Sequence, residues 1–256
     1  MQLIDTHAHL YLDQFEDDRT EMIARAKAAG VKKVLLPDID SKTTQNLLDL
    51  VATDPEFFVP MFGLHPCSVN EHFAKELEHV ERMLDKLPAF AVGEIGIDLY
   101  WDKSTLKWQQ EAFEIQIGWA KERGLPIVIH ARDSYQEIFD VVDRLNDNDL
   151  TGVFHCFTGT SDQAAHIVSY GGFKMGIGGV VTFKNGGLDK TLANIDLQHL
   201  VLETDAPYLS PVPYRGKRNE SAYIRFVVDK LAEIYDLPAV KIGEVTSANA
   251  RRLFGL

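Results

Sequence analysis

Cysteine is scarce in this chain. Only Cys67 and Cys156 occur among 256 residues, and they do not form a C-x-x-C motif. A disulfide scaffold or a zinc site built from thiolates needs more cysteines than this, so the sequence argues against both classes of protein. We expect each cysteine to be a small, buried, apolar side chain.

Long hydrophobic runs and an excess of positive charge are also missing. No stretch of 18 apolar residues occurs, and the N-terminal segment has no cationic region followed by an apolar core. The sequence therefore predicts no membrane span and no secretory signal, and it favours a cytoplasmic protein. Lys and Arg number 26 against 38 Asp and Glu, a formal charge of −12. This balance argues against a basic surface for duplex nucleic acid, so a polyanionic substrate would need local attraction.

The chain has no G-x-G-x-x-G motif after its first strand, no P-loop lysine motif, and no linker or low-complexity tract. We therefore treat residues 1–256 as one domain. Helical segments separate eight short, apolar, β-branched runs, which span residues 2–8, 32–38, 57–66, 90–96, 126–132, 151–157, 172–179 and 200–207. This α/β alternation predicts parallel strands and a closed, single-domain (β/α)8 TIM barrel, for which about 250 residues is typical. An open, doubly wound sheet is the alternative.

Three helices are plain in the pattern. Apolar residues recur at helical spacing from Ile224 to Tyr235, after a predicted cap at Ser221. Segment 109–124 shows the same spacing and ends at Gly124, a typical stop signal. Segment 237–256 predicts one more helix, which would cover the outside or an end of the barrel.

The first strand ends in "DTHAHL", with His7 and His9 one residue apart. Side chains at i and i+2 share one face of a strand, so both imidazoles could bind one metal ion. The pair alone is weak evidence, because two hydrogen-bonded or solvated histidines at a strand end are an ordinary alternative.

The histidine pair is part of a wider pattern of polar residues. They fall at the predicted C-terminal ends of the strands, namely His7 and His9 in the first, His65 in the third, Glu94 in the fourth, His130 in the fifth, His155 in the sixth and Asp205 in the eighth. These ends meet on one face of a barrel, where active sites are built. Imidazoles and carboxylates suit one or two borderline divalent ions, and we expect a binuclear catalytic site. His72, His79, His166 and His199 fall elsewhere and are predicted to lie at the surface or in packing.

The chain resembles the TatD family of metal-dependent deoxyribonucleases, within the amidohydrolase-like barrels. The resemblance covers nearly the whole chain and is carried by the motifs "LIDTHAHL", "GLHP", "VGEIGIDLYW", "PIVIHAR", "FHCFTG", "LVLETDAPYLSP" and "RGKRNE". It implies six metal ligands, His7, His9, Glu94, His130, His155 and Asp205, with Glu94 bridging two ions. Tyr11, Gln136 and Ser221 depart from the family pattern, which affects expectations about substrate contacts more than those about the metal site.

The expected chemistry is hydrolysis by a water that two divalent ions activate, without a covalent intermediate. Zinc, manganese and magnesium are the candidate ions; coordination chemistry favours tighter binding of zinc or manganese, with magnesium supporting turnover at high concentration. We expect Asp205 to act as the general base, and Glu203 to orient a ligand histidine. Two roles stay open for His65: donation to a phosphate or leaving-group oxygen, or a hydrogen bond within its own turn.

The expected substrate is DNA, and the expected reaction is exonuclease cleavage of single strands or ends. Predicted loops at the top of the barrel carry cations for the phosphate backbone, Arg132, Lys184, Arg215, Lys217 and Arg218. The same loops carry aromatic side chains on which a base could stack, Tyr100, Trp101, Phe157 and Tyr208. Ordinary solvated loops and packing over the barrel mouth are the alternatives for both groups.

Two other functions remain open at this point. The same site could hydrolyse a small ester, amide or aminoacyl bond, because barrels of this kind host many reactions. A catalytically silent barrel that serves as a binding or scaffold module is the third reading. No membrane partner is expected, and the sequence does not decide between a monomer and a weak homodimer.

Overall fold

A computed structural model describes residues 1–184 and 186–256. Its strands, numbered in chain order, are β1 Leu3–Asp5, β2 Val31–Pro37, β3 Phe58–Met61, β4 Val92–Asp98, β5 Ile127–Arg132, β6 Gly152–Phe154, β7 Phe173–Ile177 and β8 Leu200–Leu202. Each of these strands overlaps one of the eight predicted apolar runs; β2 begins one residue before its run, and β4 ends two residues after its run. All the recorded strand pairs are parallel.

Helices connect the strands and cover the sheet. They are α1 Arg19–Ala28, α2 Thr44–Thr53, α3 Phe73–Lys86, α4 Leu106–Arg123, α5 Tyr135–Leu145, α6 Ser161–Ser169, α7 Leu188–Leu192, α8 Ile224–Tyr235 and α9 Ala239–Phe254. Helix α4 ends where the sequence predicts, because Gly124 adopts the left-handed conformation at φ 61°. Within the described ranges, no helix combines the length and the apolar character that crossing a bilayer would require.

The sheet closes on itself through two seams. Strands β1–β3 and β4–β8 form continuous parallel ladders, and isolated bridges at Phe62–Val92 and Ala8–Ala206 join them. At the second seam the Asp205 N–H donates to the His7 carbonyl at 2.9 Å. The barrel is therefore closed, which confirms the (β/α)8 prediction over an open doubly wound sheet.

The core has two layers. A large cluster fills the space between the strands and the helices, as expected for a β-sheet covered by amphipathic helices. A smaller cluster fills the barrel interior, and α9 adds Ala250 and Phe254 to it. Val128, Val153 and Val201 in this inner cluster each stand two residues before a polar side chain of the barrel mouth. Helix α9 therefore closes the opposite, N-terminal end of the barrel.

Three details differ from the sequence-based expectations. Ser221 does not cap α8, because a short 3-10 turn over Ser221–Tyr223 precedes that helix. Cys67 is exposed, since it lies in the turn Pro66–Ser68 at the barrel mouth. Cys156 is only partly buried, because it follows the end of β6. The prediction that both cysteines are buried was wrong.

Candidate metal centre

The strands bring the predicted residues to one end of the barrel, although not all of them at strand ends. His7, His9, His155 and Asp205 follow the last residues of their strands, and His65 lies four residues beyond β3. Glu94 is the third residue of β4, and His130 lies inside β5. Strands β4 and β5 continue beyond these two residues as the pair Asp98–Arg132. Their placement at strand ends was therefore wrong, and Glu94 lies deeper in the barrel.

Glu94 occupies the centre of the cluster, with 2% of its side chain exposed. Its Oε2 lies 3.0 Å from His7 Nε2 and 3.6 Å from His9 Nε2. The two Nε2 atoms are themselves 3.3 Å apart. Imidazole nitrogens that converge in this way beside a carboxylate oxygen are the arrangement that a divalent cation requires.

The other carboxylate oxygen of Glu94 faces a second group of imidazoles. Oε1 lies 2.8 Å from His130 Nδ1, 3.6 Å from His65 Nε2 and 3.7 Å from His155 Nε2. One carboxylate thus places one oxygen against each of two donor groups, which is the geometry expected of a bridging ligand.

Asp205 completes the cluster from the mouth. Its Oδ1 lies 3.8 Å from both His9 Nε2 and His155 Nε2, and 3.9 Å from His7 Nε2. Its side chain is 13% exposed. Asp205 is therefore the carboxylate of this cluster that solvent or a substrate reaches most easily.

Neighbouring groups fix the orientation of three imidazoles. Glu203 Oε1 lies 3.0 Å from His155 Nδ1 and also accepts the Cys156 N–H, so Nε2 of His155 faces the centre. The Tyr11 hydroxyl donates to the Pro37 carbonyl at 2.6 Å and lies 3.0 Å from His9 Nδ1. The contact of His9 with Tyr11 favours the tautomer that presents the opposite nitrogen to a metal, whereas the Glu203 carboxylate places a negative charge beside His155.

Asp98 provides the third of these contacts and was missed in the sequence. Its Oδ2 lies 2.9 Å from His130 Nε2, which leaves Nδ1 toward Glu94. A signal was available, because Glu94, Gly96 and Asp98 share one face of β4 while Ile95 and Ile97 pack outward. Gly96 has φ 134°, and a Cβ there would lie 2.3 Å from the His130 carbonyl oxygen.

The ionisation of the cluster is strongly coupled. Burial alone would raise the pKa of Glu94, but the histidines around it hold that pKa well below its usual value. Burial would likewise lower the pKa of His155, whereas the carboxylates of Glu203 and Glu94 raise it to about 10. Burial raises the pKa of Asp205 to about 6. Attraction between imidazoles and carboxylates thus opposes the effect of burial at both Glu94 and His155.

The donor set fits divalent ions. Four sets of three His, Cys, Asp or Glu side chains bring their ligand atoms within 4.8 Å of one another, and Glu94 belongs to two of these sets. His7 Nδ1 is buried and has no hydrogen-bond partner in the described part of the chain. Imidazole with carboxylate suits zinc or manganese on coordination grounds.

His65 performs one of its two expected roles in the structure. Its Nδ1 accepts the Cys67 N–H at 3.0 Å, within the turn, and its Nε2 is left facing Glu94. The other histidines lie outside the cluster: His79 contacts the Thr44 hydroxyl at 2.9 Å, and His166 contacts Asp143 at 2.8 Å.

Exposed aromatic side chains surround the mouth. Trp101 is 71% exposed and Tyr100 is 54% exposed, and the Arg132 guanidinium lies 3.7 Å from the centre of the Tyr100 ring. Tyr208, which is 47% exposed, has its ring 6.3 Å from that of His9. Phe157 is buried, so its predicted use as a stacking surface was wrong.

The predicted cations differ in how they are engaged. Lys184 is exposed, Arg215 lies over the Phe183 ring at 4.1 Å, and Lys217 lies over the Tyr214 ring at 5.8 Å. Arg218 instead binds both carboxylate oxygens of Asp18, at 2.7 and 2.9 Å. Its guanidinium is thus already neutralised, and it fastens the loop after β8 to the start of α1.

Comparison with known proteins agrees with this geometry. A family model described as TatD-related DNase matches residues 4–255. The uncharacterized metal-dependent hydrolase YabD of Bacillus subtilis is 35% identical, covering 98% of each chain. A protein of Pectobacterium carotovorum named 3′-5′ ssDNA/RNA exonuclease TatD is 31% identical over 99% of this chain and 100% of its own.

A solved structure supports the same assignment. The crystal structure of the TatD homologue YjjV from Escherichia coli superposes with a TM-score of 0.92 at 30% identity, covering 99% of this chain and 98% of that one. An amidohydrolase from Saccharomyces cerevisiae, at 18% identity and a TM-score of 0.87, shares the fold. The family model matches the whole barrel, and a relative that is 35% identical is described as a metal-dependent hydrolase. This chain therefore belongs to the TatD family of metal-dependent hydrolases.

Proposed function

We propose that residues 1–256 form one hydrolase domain that removes nucleotides from the ends of single-stranded DNA. The observation that carries the proposal is the position of Glu94, with one carboxylate oxygen against each of two imidazole groups. This arrangement suits a pair of divalent ions, and such pairs recur in enzymes that cleave phosphodiesters. The relative named as a single-strand exonuclease supports the choice of substrate.

The ligands divide around Glu94. His7 and His9 would hold one ion beside Oε2, His130 and His155 would hold the other beside Oε1, and Asp205 faces both groups. Divalent ions bound there supply positive charge against phosphate oxygens and lower the pKa of water.

Two side chains are assigned to proton transfer. Asp205, the carboxylate nearest the mouth, accepts the proton of the attacking water. His65 Nε2, which lies 3.6 Å from Glu94 Oε1, donates to a phosphate or leaving-group oxygen. Hydroxide then attacks phosphorus directly, so the reaction needs no serine or cysteine nucleophile.

The rim favours unpaired nucleotides. Tyr100, Trp101 and Tyr208 expose ring surface that a base can use only when it is not stacked in a duplex. Arg132, Arg215 and Lys217 supply positive charge at this end of a chain whose net charge is −12. Together they would attract a strand locally, in spite of the acidic composition of the chain.

The test is digestion of a 5′-labelled single strand with manganese or magnesium present, resolved on a denaturing gel. The expected result is a ladder of successively shorter products, with weaker digestion of the same strand in a blunt duplex. D205N should lower the rate by about 100-fold or more. The matched control is H166A, because His166 is bound to Asp143 away from the centre and its loss should leave the ladder intact.

Two outcomes would contradict the proposal. Equal digestion by D205N would assign the nuclease activity to a contaminant. Hydrolysis of small esters or amides, with no cleavage of DNA or of RNA of the same sequence, would favour the small-molecule reading of the same site.

A further inference from the structure

Asp98 connects two parts of the site that the sequence treats separately. Its Oδ2 lies 2.9 Å from His130 Nε2, at the metal centre. Its Oδ1 accepts the backbone N–H groups of Tyr100, at 3.0 Å, and of Trp101, at 3.2 Å. One buried carboxylate therefore orients a ligand histidine and also holds the start of the loop that carries Tyr100 and Trp101, which we call the aromatic loop.

The chemistry of these contacts requires a carboxylate. Three N–H donors, from Tyr100, Trp101 and His130, converge on two oxygens, so every contact of the side chain is an acceptor contact. An amide of the same shape offers one oxygen and one NH2 group. In one orientation of that amide, the NH2 group faces the backbone N–H groups of Tyr100 and Trp101, so that donor meets donor. In the other orientation, the NH2 group faces His130 Nε2 and favours the tautomer with a proton on Nδ1, which then cannot bind a metal.

Helix α4 keeps Asp98 from moving. The buried Gln109 accepts the Asp98 N–H through Oε1 at 2.8 Å and donates through Nε2 to the Asp98 carbonyl at 3.1 Å. Gln109 also donates to the Thr105 hydroxyl at 2.8 Å. The backbone N–H and carbonyl groups of Asp98 are thus both held by Gln109. A displacement of the aromatic loop therefore moves the Asp98 side chain and not its backbone.

The loop that Asp98 holds has the form of a stacking platform. Tyr100 and Trp101 contact each other edge to face, with ring centres 4.9 Å apart. The Arg132 guanidinium lies over both rings, 3.7 Å from the centre of the first and 5.5 Å from that of the second. Arg132 is two residues after His130 on β5, so the platform and the ligand share a strand as well as Asp98.

We propose that Asp98 is a positioning residue that couples a nucleobase on the Tyr100–Trp101–Arg132 platform to the orientation of His130 at the metal centre. A base on the platform holds the loop in the conformation in which Asp98 fixes the Nε2–H tautomer of His130. The enzyme therefore favours phosphodiesters that carry a base over those that do not. This inference rests on the proposed phosphodiesterase activity for its kinetic part only.

The first test is calorimetry of Mn²⁺ binding, which needs no activity. D98N should weaken the affinity for manganese by about 10- to 100-fold, the usual cost of losing such a contact. D102N is the matched control, because Asp102 lies in the same loop and its carboxylate contacts Ser104. Unchanged affinity in D98N would overturn the proposal.

The second test compares two chromogenic diesters, thymidine 5′-(p-nitrophenyl phosphate) and methyl p-nitrophenyl phosphate. W101A should reduce the preference in kcat/KM for the thymidine ester by about tenfold, as the loss of one stacking contact implies. D98N should lower turnover of both esters and also reduce the preference, whereas D102N should change neither. If D98N binds manganese weakly but keeps the wild-type preference for the thymidine ester, the proposed coupling between the platform and His130 is overturned.

A third measurement uses the wild-type protein and so does not depend on the folding of a variant. Long-range ¹H–¹⁵N spectra of the zinc-loaded protein should show His130 protonated at Nε2 and not at Nδ1. The opposite tautomer would overturn the proposal. If the wild-type protein hydrolyses neither ester, the proposed function fails, and the calorimetry and the spectra still decide whether Asp98 positions His130.

Discussion

At the scale of single residues, the site depends on side chains that hold the candidate metal-binding histidines in place. Glu203 lies beside His155, Tyr11 contacts His9 and Asp98 contacts His130, so three imidazoles each have a polar side chain at the nitrogen that faces away from the centre. This arrangement explains how Tyr11, which departs from the family pattern, supports His9. Its hydroxyl can accept from His9 while it donates to the Pro37 carbonyl.

Gly176 is the residue on which the position of Glu203 depends. A Cβ at Gly176 would lie 2.0 Å from Glu203 Oε2, and Glu203 is fully buried. We expect G176A to displace the carboxylate from His155 and to weaken binding of a divalent ion by about 10- to 100-fold. Calorimetry with Mn²⁺ measures this effect.

Gly178, the first residue after β7, supplies the control for this prediction. At Gly178 the nearest atom to an added Cβ is the Glu203 carbonyl oxygen at 3.6 Å, an ordinary contact. G178A should therefore bind Mn²⁺ as the wild-type protein does. Equal affinity in G176A and G178A would show that Glu203 does not act through its position.

At the scale of elements, an ion-pair cluster fastens the loop after β8 to the start of α1. Asp18 accepts from Arg218 and from Arg25, and Arg25 also binds the carboxylate of Glu220. Both arginines lower the pKa of Asp18 below its ordinary value of 3.8. Because the folded-state pKa is the lower one, this stabilisation is present above pH 3.8 and is lost as the pH falls below it.

The prediction concerns D18N. Because Asp18 is one-third exposed, its loss should lower the free energy of unfolding by only about 1 kcal/mol at pH 7. Urea unfolding should show this difference at pH 7 and a smaller one at about pH 3. D17N is the control, since Asp17 is exposed and has no ion-pair partner within the described ranges. A difference that grows toward acid pH would contradict the assignment.

Helix α9 stabilises the barrel from the end opposite the site. Phe254 is 4% exposed and packs into the inner cluster beneath the strands. F254A should lower the free energy of unfolding by about 3–5 kcal/mol, because it removes a buried ring and leaves a cavity. It should leave the affinity for Mn²⁺ unchanged in the folded protein.

Chemical denaturation and calorimetry together check this prediction. V240A, on the same helix at a position that is 52% exposed, should change stability by less than about 0.5 kcal/mol. A loss of metal affinity in F254A that equals the loss in G176A would mean that the two ends of the barrel are not independent.

At the scale of the whole molecule, metal binding and folding are linked. The candidate ligands lie between residues 7 and 205, so the donor set exists only when the barrel is closed. Ions that bind only the folded protein should therefore raise its melting temperature, by a free energy of about 2.7 kcal/mol at 100 times the dissociation constant.

Scanning calorimetry with added Mn²⁺, and again after EDTA, measures this linkage. EDTA should lower the melting temperature and abolish hydrolysis, and fresh Mn²⁺ should restore both. A melting temperature that does not respond to either reagent would contradict a metal centre at Glu94. Restoration of stability without hydrolysis would separate metal binding from the proposed activity.

Much of the architecture was predictable because its signals are local. Each apolar run became a strand, Gly124 ended its helix and the final segment closed one end of the barrel. One of the errors, the expected role of Arg218 in binding phosphate, occurred where a distant contact decided the outcome. Asp18 and Arg218, which are 200 residues apart, form an ion pair, and that pairing has no signature in either segment.

The sequence by itself determined the order of the strands and helices and the identity of the side chains at the barrel mouth. Backbone preferences and apolar periodicity act over a few residues, so a single chain carries them. Tertiary structure alone decided which oxygen of Glu94 faces which imidazole, how deep Glu94 lies and which carboxylate orients His130. These are contacts across a closed barrel, and their geometry is set by strand register and by packing against helices far away in the chain.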